Sequence, residues 1–335
     1  MRKAFKSDGF LILIFLATLL VFLQEIITYF NHPVKGIMIS GNKDSSWIPP
    51  SLFTDMELTG EERELVRYGE DLIAHTSKYL GPKGSVAQIT NGMNCQNCHL
   101  EGGTRFFGNN YSAVYSTYPK YRDRSGGMES IPKRVNDCIE RSLNGKAIDP
   151  NSKEMKAILA YMKWLGQDVA RSVKPHGAGL EKLPFMDRPA DPEKGRLVFN
   201  AHCSRCHGTN GEGKKLPREI MYTYPPLWGE HSYTEGAGLF RLIHFSGFVK
   251  NNMPFDTVTH ANTILTNEEA WDVAAFVNSQ PRPQKDQSAD WPDISKKPID
   301  FPFGPYADSF SERQHKYGPW GEIVESQKSK VKSQK

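Results

Sequence analysis

The sequence predicts a mainly α-helical protein that contains two similar domains in tandem. Two motifs of the pattern Cys-x-x-Cys-His occupy residues 95–99 and 203–207 of the 335-residue chain. A segment with helical spacing of apolar residues precedes each motif, and a second such segment closes each half of the chain. The same order of elements in both halves indicates that one domain plan occurs twice.

The two motifs are the attachment signature of c-type haem. In this motif both thiols bond covalently to the haem, and the histidine supplies an axial nitrogen to the iron. A zinc site would need the two cysteine pairs to come together, although a domain's length of sequence separates them. The sequence therefore predicts two covalently bound haem c groups. The residues concerned are Cys95, Cys98, Cys203 and Cys206 as attachment sites, with His99 and His207 as iron ligands.

The N-terminus carries an export pattern. Arg2, Lys3 and Lys6 precede an uncharged, mostly apolar run over residues 9–23. Because no Ala-x-Ala cleavage site follows, the pattern favours an uncleaved membrane anchor with the basic residues inside. We expect a periplasmic protein, with a signal or anchor over residues 1–30 and a linker over 31–58. The net charge of only +4, without a basic stripe, excludes a nucleic-acid-binding function.

The first predicted domain spans residues 59–172. Its opening helix begins near Glu61 and stops at Gly81, which is followed by proline. Its closing helix runs from Ser152 to Leu165, with apolar residues along one face.

The second predicted domain spans residues 190–282, after a proline- and glycine-rich linker over 173–189. Asp191 caps a helix with proline at its first position, and the residues from Thr266 to Glu269 form a capping box for the closing helix. This is the plan of a class I cytochrome c, in which the haem replaces much of the apolar core. The many aromatic residues over 283–321 predict an extended strap across both domains, whereas the Lys- and Ser-rich end from Glu322 to residue 335 predicts disorder.

Each haem needs a second axial ligand. In domain two, Met253 precedes a proline and the closing helix, which favours it over His231, His244 and His260. His244 falls within a predicted helix over residues 240–249 and is expected to be a packed or surface histidine.

In domain one the candidates for this ligand are Met128 and Cys138. Met128 follows two glycines and is expected to face solvent, whereas Cys138 lies in a short helical stretch. Cys138 is the one cysteine outside the two motifs, and an exported protein seldom keeps a spare thiol without a use. Coordination would deprotonate it, and an anionic sulfur ligand lowers the potential of a haem.

At these residues the sequence resembles the thiosulfate dehydrogenases, a family of dihaem c-type cytochromes. The resemblance covers about residues 60–320, and its most specific segments are RVNDCIERSLNG (134–145), EMKAILAYMKWL (154–165), PPLWG (225–229), EEAWDVAAFVNSQ (268–280) and FGPYAD (303–308). It implies an enzyme that oxidises two thiosulfate ions to tetrathionate, in a reaction that can also run in reverse. The electrons then pass from the first haem to the second and on to a c-type cytochrome or another periplasmic acceptor.

The resemblance also implies roles for particular residues. His99 and Cys138 would ligate the catalytic haem, and Arg124, Arg134 and Ser142 would line the substrate site. His207 and Met253 would ligate the electron-transfer haem. Some family members carry a lysine directly before this methionine and exchange ligands on reduction. This chain has Asn252 there, and Lys250 lies three residues before Met253, so the exchange is not expected.

Electrostatics supports cationic residues at such a site. Two dianions at 4 Å repel by about 16 kcal/mol at an effective dielectric constant of 20. Arg124 and Arg134 are plausible compensating charges because guanidinium groups suit oxyanions. For Lys133 and Arg122, the alternative interpretation is an ordinary charged side chain in contact with solvent.

Three other functions compete with this interpretation. A pure electron-transfer dihaem cytochrome would have methionine at both irons, and a Sox-type cytochrome would conjugate thiosulfate to a carrier protein. A dihaem peroxidase would turn over hydrogen peroxide.

Overall fold

The computed structural model describes residues 47–52, 58–215 and 221–333. The predicted anchor over residues 1–30, and residues 31–46 and 53–57 of the predicted linker, lie outside these ranges. Within the described part of the chain, no helix combines the length and the apolar character needed to cross a bilayer.

The first half of the described chain contains helices and one two-stranded antiparallel hairpin. Its elements are α1 (Gly60–Ala74), α2 (Thr76–Leu80), α3 (Leu100–Gly103), α4 (Val114–Thr117), β1 (Lys120–Arg122), β2 (Gly127–Glu129), α5 (Ile131–Arg141) and α6 (Lys153–Leu165). Thr59 and Glu62 form a capping box at the start of α1, and Ser152 caps α6 as the sequence predicts. The predicted opening helix is interrupted at His75, so that α1 and α2 are separate.

The second half is helical in its described elements. These are α7 (Pro192–His202), α8 (Ser204–His207), α9 (Leu242–Asn252), α10 (Asn267–Ser279), α11 (Glu312–Tyr317) and α12 (Gly321–Ser333), with 3₁₀ turns at Gly238–Phe240 and Ile294–Lys296. A further 3₁₀ turn, Cys95–Asn97, lies in the first half. The side chain of Asp191 accepts hydrogen bonds at the start of α7, and Thr266 and Glu269 form the predicted capping box of α10.

In each half, the opening helix of the predicted domain packs against its closing helix at a glycine. A Cβ atom on Gly69 of α1 would stand 2.1 Å from the carbonyl oxygen of Ala157 in α6. A Cβ atom on Gly195 of α7 would stand 1.9 Å from the carbonyl oxygen of Asp272 in α10. These distances are far below van der Waals contact, so only glycine allows this crossing. The repeated crossing supports the prediction of one domain plan used twice.

Replacing Gly195 by alanine should therefore lower the free energy of unfolding by about 2–3 kcal/mol, because the two helices must separate to admit a methyl group. Urea denaturation of the holoprotein measures this change. Gly60→Ala is the matched control, because no atom lies within 4 Å of a Cβ atom placed there. Equal stability of the Gly195→Ala variant and the wild type would contradict the close crossing.

The C-terminal segment contacts both halves, as predicted for a strap. Asp290 accepts two hydrogen bonds from Arg141 of the first half, at 2.7 and 2.8 Å. Asp300 forms an ion pair with Arg241 of the second half and accepts the backbone N–H of Ile243 at 3.1 Å. The strap thereby links the helix that carries Cys138 to the second domain.

The prediction of a disordered end from Glu322 to residue 335 is wrong for residues 322–333, which form most of α12. Trp320 and Ile323 are buried in the apolar core of the second half, where Trp320 packs on Trp271 with ring centroids 4.9 Å apart. These two side chains anchor the start of the helix, and the many lysines and serines that follow concealed this anchor in the sequence.

Candidate haem cavities and active site

The first half encloses a cavity of about 290 Å³. Cys95, Cys98, His99 and Cys138 all line it, and most of the remaining wall is apolar. The fold therefore brings the cysteine outside the two motifs to the same cavity as the first motif. Met128 is 66% exposed on the outer face of β2, as expected.

His99 is oriented by a backbone carbonyl. Its Nδ1 lies 2.6 Å from the carbonyl oxygen of Asn109, and its ring stacks on Tyr111 with centroids 4.5 Å apart. A carbonyl oxygen only accepts hydrogen bonds, so Nδ1 carries the proton and Nε2 keeps its lone pair. Burial lowers the pKa of His99 to about 4, which keeps the imidazole neutral. A neutral imidazole with a free Nε2 is the form that ligates a metal.

Helix α5 positions Cys138. Ser130 caps its start and Pro132 lies in its first turn, which fixes where the helix begins. Arg134, Cys138 and Ser142 follow at intervals of four residues, so they lie on one face. All three line the cavity, and the negative charge of the Cys138 sulfur is the largest cause that raises the pKa of Arg134. The Arg134 guanidinium and the Cys138 sulfur therefore interact electrostatically on this face of α5.

A smaller cavity of about 50 Å³ adjoins this face. It is shared by Arg134, Cys138 and Ser142 with residues of the second domain, among them Tyr233 and Leu239. The backbone N–H and hydroxyl of Thr234 both donate to the carbonyl oxygen of Arg141, at 3.0 and 2.8 Å. The second domain therefore forms one wall of the space around Cys138.

The structure does not bring Arg124 into this group. Its guanidinium lies 3.8 Å from the carboxylate of Asp290, donates to the carbonyl oxygen of Gly236 at 3.2 Å and faces the ring of Trp291. Burial and the nearby charge of Arg141 lower the pKa of Arg124 to about 10. Arg124 is not among the residues that line either cavity, because the strap carboxylate holds it elsewhere.

Cations that the sequence reasoning did not select do line the larger cavity. They are Lys120, Arg122 and Lys174. Arg122 is more than a plain surface charge in this structure, since it lines the cavity and its side chain is 33% exposed. The interpretation as plain surface charge does hold for Lys133, which is 54% exposed and paired with Asp137. The alternation of a strand places Lys120 and Arg122 on one face, but the three residues of β1 are too few to show that alternation in the sequence.

The second half encloses a cavity of about 160 Å³. Cys203, Cys206, His207 and Met253 line it together, and Met253 directly follows the end of α9. The Nδ1 of His207 lies 2.8 Å from the carbonyl oxygen of Pro225, which again leaves Nε2 free, and burial lowers the pKa of His207. This is the same histidine arrangement as in the first half.

The competing histidines lie elsewhere. His231, His244 and His260 are absent from the lining of the second cavity. His244 is packed in α9 with Nδ1 3.0 Å from the carbonyl oxygen of Gly238, and burial lowers its pKa to about 4.

Asn252, which stands where a lysine occurs in some family members, links the two domains. Its amide donates to the carbonyl oxygens of Phe107 and Phe248 and accepts from Arg105, at 2.9–3.1 Å. Lys250 donates to the carbonyl oxygen of Leu265 and does not line the second cavity. In this structure, therefore, neither Asn252 nor Lys250 lines the cavity that holds Met253.

Both cavities fit a c-type haem by their donor sets. Each offers two thiols, one imidazole with a free Nε2 and one further sulfur, within mainly apolar walls. Burial raises the pKa of Cys95 to about 11 and that of Cys98 to about 12. Among the described residues, no three His, Cys, Asp or Glu side chains are close enough together to hold one metal ion by themselves.

The chain is similar to known proteins along most of its length. Residues 85–170 match the family model of the SoxA/TsdA cytochrome c domain, and residues 192–281 match that of cytochrome c. A thiosulfate dehydrogenase of Psychrobacter arcticus is 36% identical over 270 residues, which cover 78% of this chain and 79% of the relative. One of Allochromatium vinosum is 38% identical over 199 residues, covering 58% of this chain and 72% of the relative.

A solved structure agrees with the sequence relatives. The thiosulfate dehydrogenase TsdBA of Marichromatium purpuratum, in its as-isolated form, superposes with a TM-score of 0.65 at 32% identity. The superposition covers 72% of this chain and 50% of that one. Two cytochrome c domains imply two covalently bound haem c groups, in agreement with the two motifs. By its sequence relatives and its fold, this chain belongs to the thiosulfate dehydrogenase family.

Proposed function

We propose that this protein oxidises two thiosulfate ions to tetrathionate in the cavity of its first domain, at Cys138. The observation that carries the proposal is the convergence of Cys138, Arg134 and the oriented His99 on one cavity. Family membership supports the substrate, because the relatives are named thiosulfate dehydrogenases. His99 and Cys138 are the proposed iron ligands of the first domain, and His207 and Met253 those of the second.

The sulfur chemistry balances at Cys138. The thiolate and the outer sulfur of one thiosulfate form an S–S bond with loss of two electrons. The product is a cysteine S-thiosulfonate, Cys–S–S–SO3⁻. A second thiosulfate then attacks the sulfur next to Cys138, the bond to the cysteine breaks, and tetrathionate leaves with the thiolate restored. The c-type haem of each domain, when bound, accepts and passes on one electron, so one molecule accommodates the two electrons of a turnover.

Arg134 and Ser142 hold the substrate in this scheme. Without compensation, two dianions at 4 Å repel by about 16 kcal/mol at an effective dielectric constant of 20. Arg134 lies one helical turn before Cys138 and presents a planar fork that suits the sulfonate oxygens. Ser142, one turn after Cys138, offers a hydroxyl to the same space. Arg124 lies outside the cavity lining, so its influence on the substrate site is indirect and passes through the Asp290 carboxylate of the strap.

The domain contact supports an internal route for electrons. Asn97, within the first Cys-x-x-Cys-His motif, lines the cavity of the second domain. Cys98 packs against the core of that domain. This contact supports a proposed route from the first domain to the second, and the proposed external acceptor is a c-type cytochrome or another periplasmic electron carrier. The proposed location is the periplasm, with residues 1–30 as a tether.

Purified holoprotein with thiosulfate and an electron acceptor tests the function. We expect one tetrathionate for every two electrons transferred, without any further protein. A requirement for a carrier protein would indicate Sox-type conjugation instead. If thiosulfate does not reduce the acceptor, the protein is a pure electron-transfer cytochrome. Acceptor-independent consumption of tetrathionate by the reduced protein would show the reverse reaction.

Met253→His should lower one of the two haem midpoint potentials and leave the other unchanged. Methionine as an axial ligand raises the potential of a c-type haem, and axial ligands together set a range of about 0.8 V. We expect a fall on the order of 0.1 V or more in a spectroelectrochemical titration. Two unchanged potentials would show that Met253 is not a ligand.

A further inference from the structure

The β1–β2 hairpin directs two cations into the first cavity. Lys120 and Arg122 lie on its inner face, whereas Tyr121 and its partner Met128 lie on the outer face, 60% and 66% exposed. Lys120 also stands 4.7 Å above the ring of Tyr118, another cavity residue. The hairpin is thus placed to present positive charge inward.

A third cation reaches the same cavity from another segment. Lys174 follows the first domain and lines the cavity with its side chain, although the residue is otherwise exposed. Lys120, Arg122 and Lys174 together are called the cation cluster below. None of the three belongs to the face of α5 that carries Cys138.

The described anions neutralise these charges only in part, through an ion pair between Arg122 and Glu129. Glu129 is the nearest carboxylate, 3.8 Å from the Nε of Arg122, and one of its oxygens already accepts from Ser125 at 2.7 Å. Burial first, and then the charges of Arg122, Arg134 and Lys174, lower the pKa of Lys120. The cations are therefore close enough to repel one another. With Arg134 they bring four positive charges to one cavity, against one carboxylate and the sulfur of Cys138.

We propose that the cation cluster is a second anion-binding subsite of the first cavity, distinct from Arg134 and Ser142. Its ligand is a delocalised oxyanion group, supplied by the sulfonate end of the substrate or by the carboxylate side chains of the haem. A half-buried group of like charges is stabilised when such an anion binds to it. The substrate source rests on the proposed function, and the carboxylate source does not.

The test uses the oxidised holoprotein and the variants Lys120→Gln, Arg122→Gln and Lys174→Gln, singly and together. Sulfate is the probe, because it is a dianion that is not oxidised, so its binding can be measured by calorimetry without turnover. Redox titration gives both haem potentials in the same variants. Lys83→Gln is the matched control, since it removes an exposed charge from the same domain.

If the substrate is the source, each removed cation weakens sulfate binding about tenfold, whether or not the potential of the first haem also falls. If the haem carboxylates are the source, one potential falls and sulfate affinity is retained. Both results support the subsite. Variants that match Lys83→Gln in both sulfate affinity and haem potentials would overturn the subsite. If the triple variant fails to load haem, the single variants provide this comparison. Absence of thiosulfate turnover in the wild type would refute the proposed function without affecting either measurement.

Discussion

Cys138→Gly is expected to lower thiosulfate turnover by about 10³-fold or more, while both haems stay attached. The loss follows because glycine supplies neither the sulfur that forms the transient S–S bond nor a ligand to the first haem. Haem attachment depends on the four motif cysteines, which the substitution does not touch. Acceptor reduction by thiosulfate measures the activity, and the pyridine haemochrome spectrum counts the haems.

Ser142→Ala is the matched control for this substitution. Ser142 lies one turn after Cys138 on the same face, and its substitution also removes a polar atom from the cavity lining. We expect at most about a tenfold loss, because one neutral hydrogen bond contributes about 0.5–1.5 kcal/mol. A Cys138→Gly variant that keeps the activity of Ser142→Ala would refute the role of the thiolate.

Arg134→Gln should lower kcat/KM for thiosulfate by about 10²–10³-fold. Glutamine removes a charge-assisted, two-pronged contact with the sulfonate oxygens and leaves the repulsion between two dianions uncompensated. It also removes the cation beside the Cys138 sulfur, so the thiolate becomes less stable. Steady-state kinetics at low and high salt measures the effect. Added salt should lower kcat/KM more in the wild type than in the variant, because salt screens the charge of Arg134.

Lys133→Gln separates this local effect from a general loss of charge. Lys133 is adjacent in sequence and carries the same charge, but its side chain is 54% exposed and paired with Asp137. We expect kcat/KM within about twofold of the wild type, because exposed ion pairs contribute little. Equal losses in the two variants would mean that the net charge of the domain matters and the position of Arg134 does not.

Features encoded by local sequence could be predicted. The caps at Asp191 and Thr266 use short-range hydrogen bonds, and the structure confirms both. The haem motifs are equally local. The four-residue spacing from Arg134 to Cys138 and on to Ser142 also becomes a shared face as soon as that segment is helical.

Features that depend on distant partners could not be predicted. Arg124 matches the family pattern by position, yet its place is set by Asp290, which is far along the chain in the strap. Lys120 and Arg122 reach the cavity because a hairpin places them there. Each of its strands has only three residues, too few to show an alternation of inward and outward side chains in the sequence. The C-terminal helix is held by Trp320 and Ile323 in the core of the second domain, and composition alone suggested disorder.

Electron paramagnetic resonance of the oxidised holoprotein tests most directly whether the Cys138 sulfur ligates the first haem. We expect one low-spin ferric species with the narrow g-spread of thiolate ligation, and a second species with histidine and methionine as ligands. Cys138→Gly should abolish the first species and leave the second unchanged. A wild-type spectrum without a thiolate species, or one that is the same in the Cys138→Gly variant, would contradict catalysis at this sulfur.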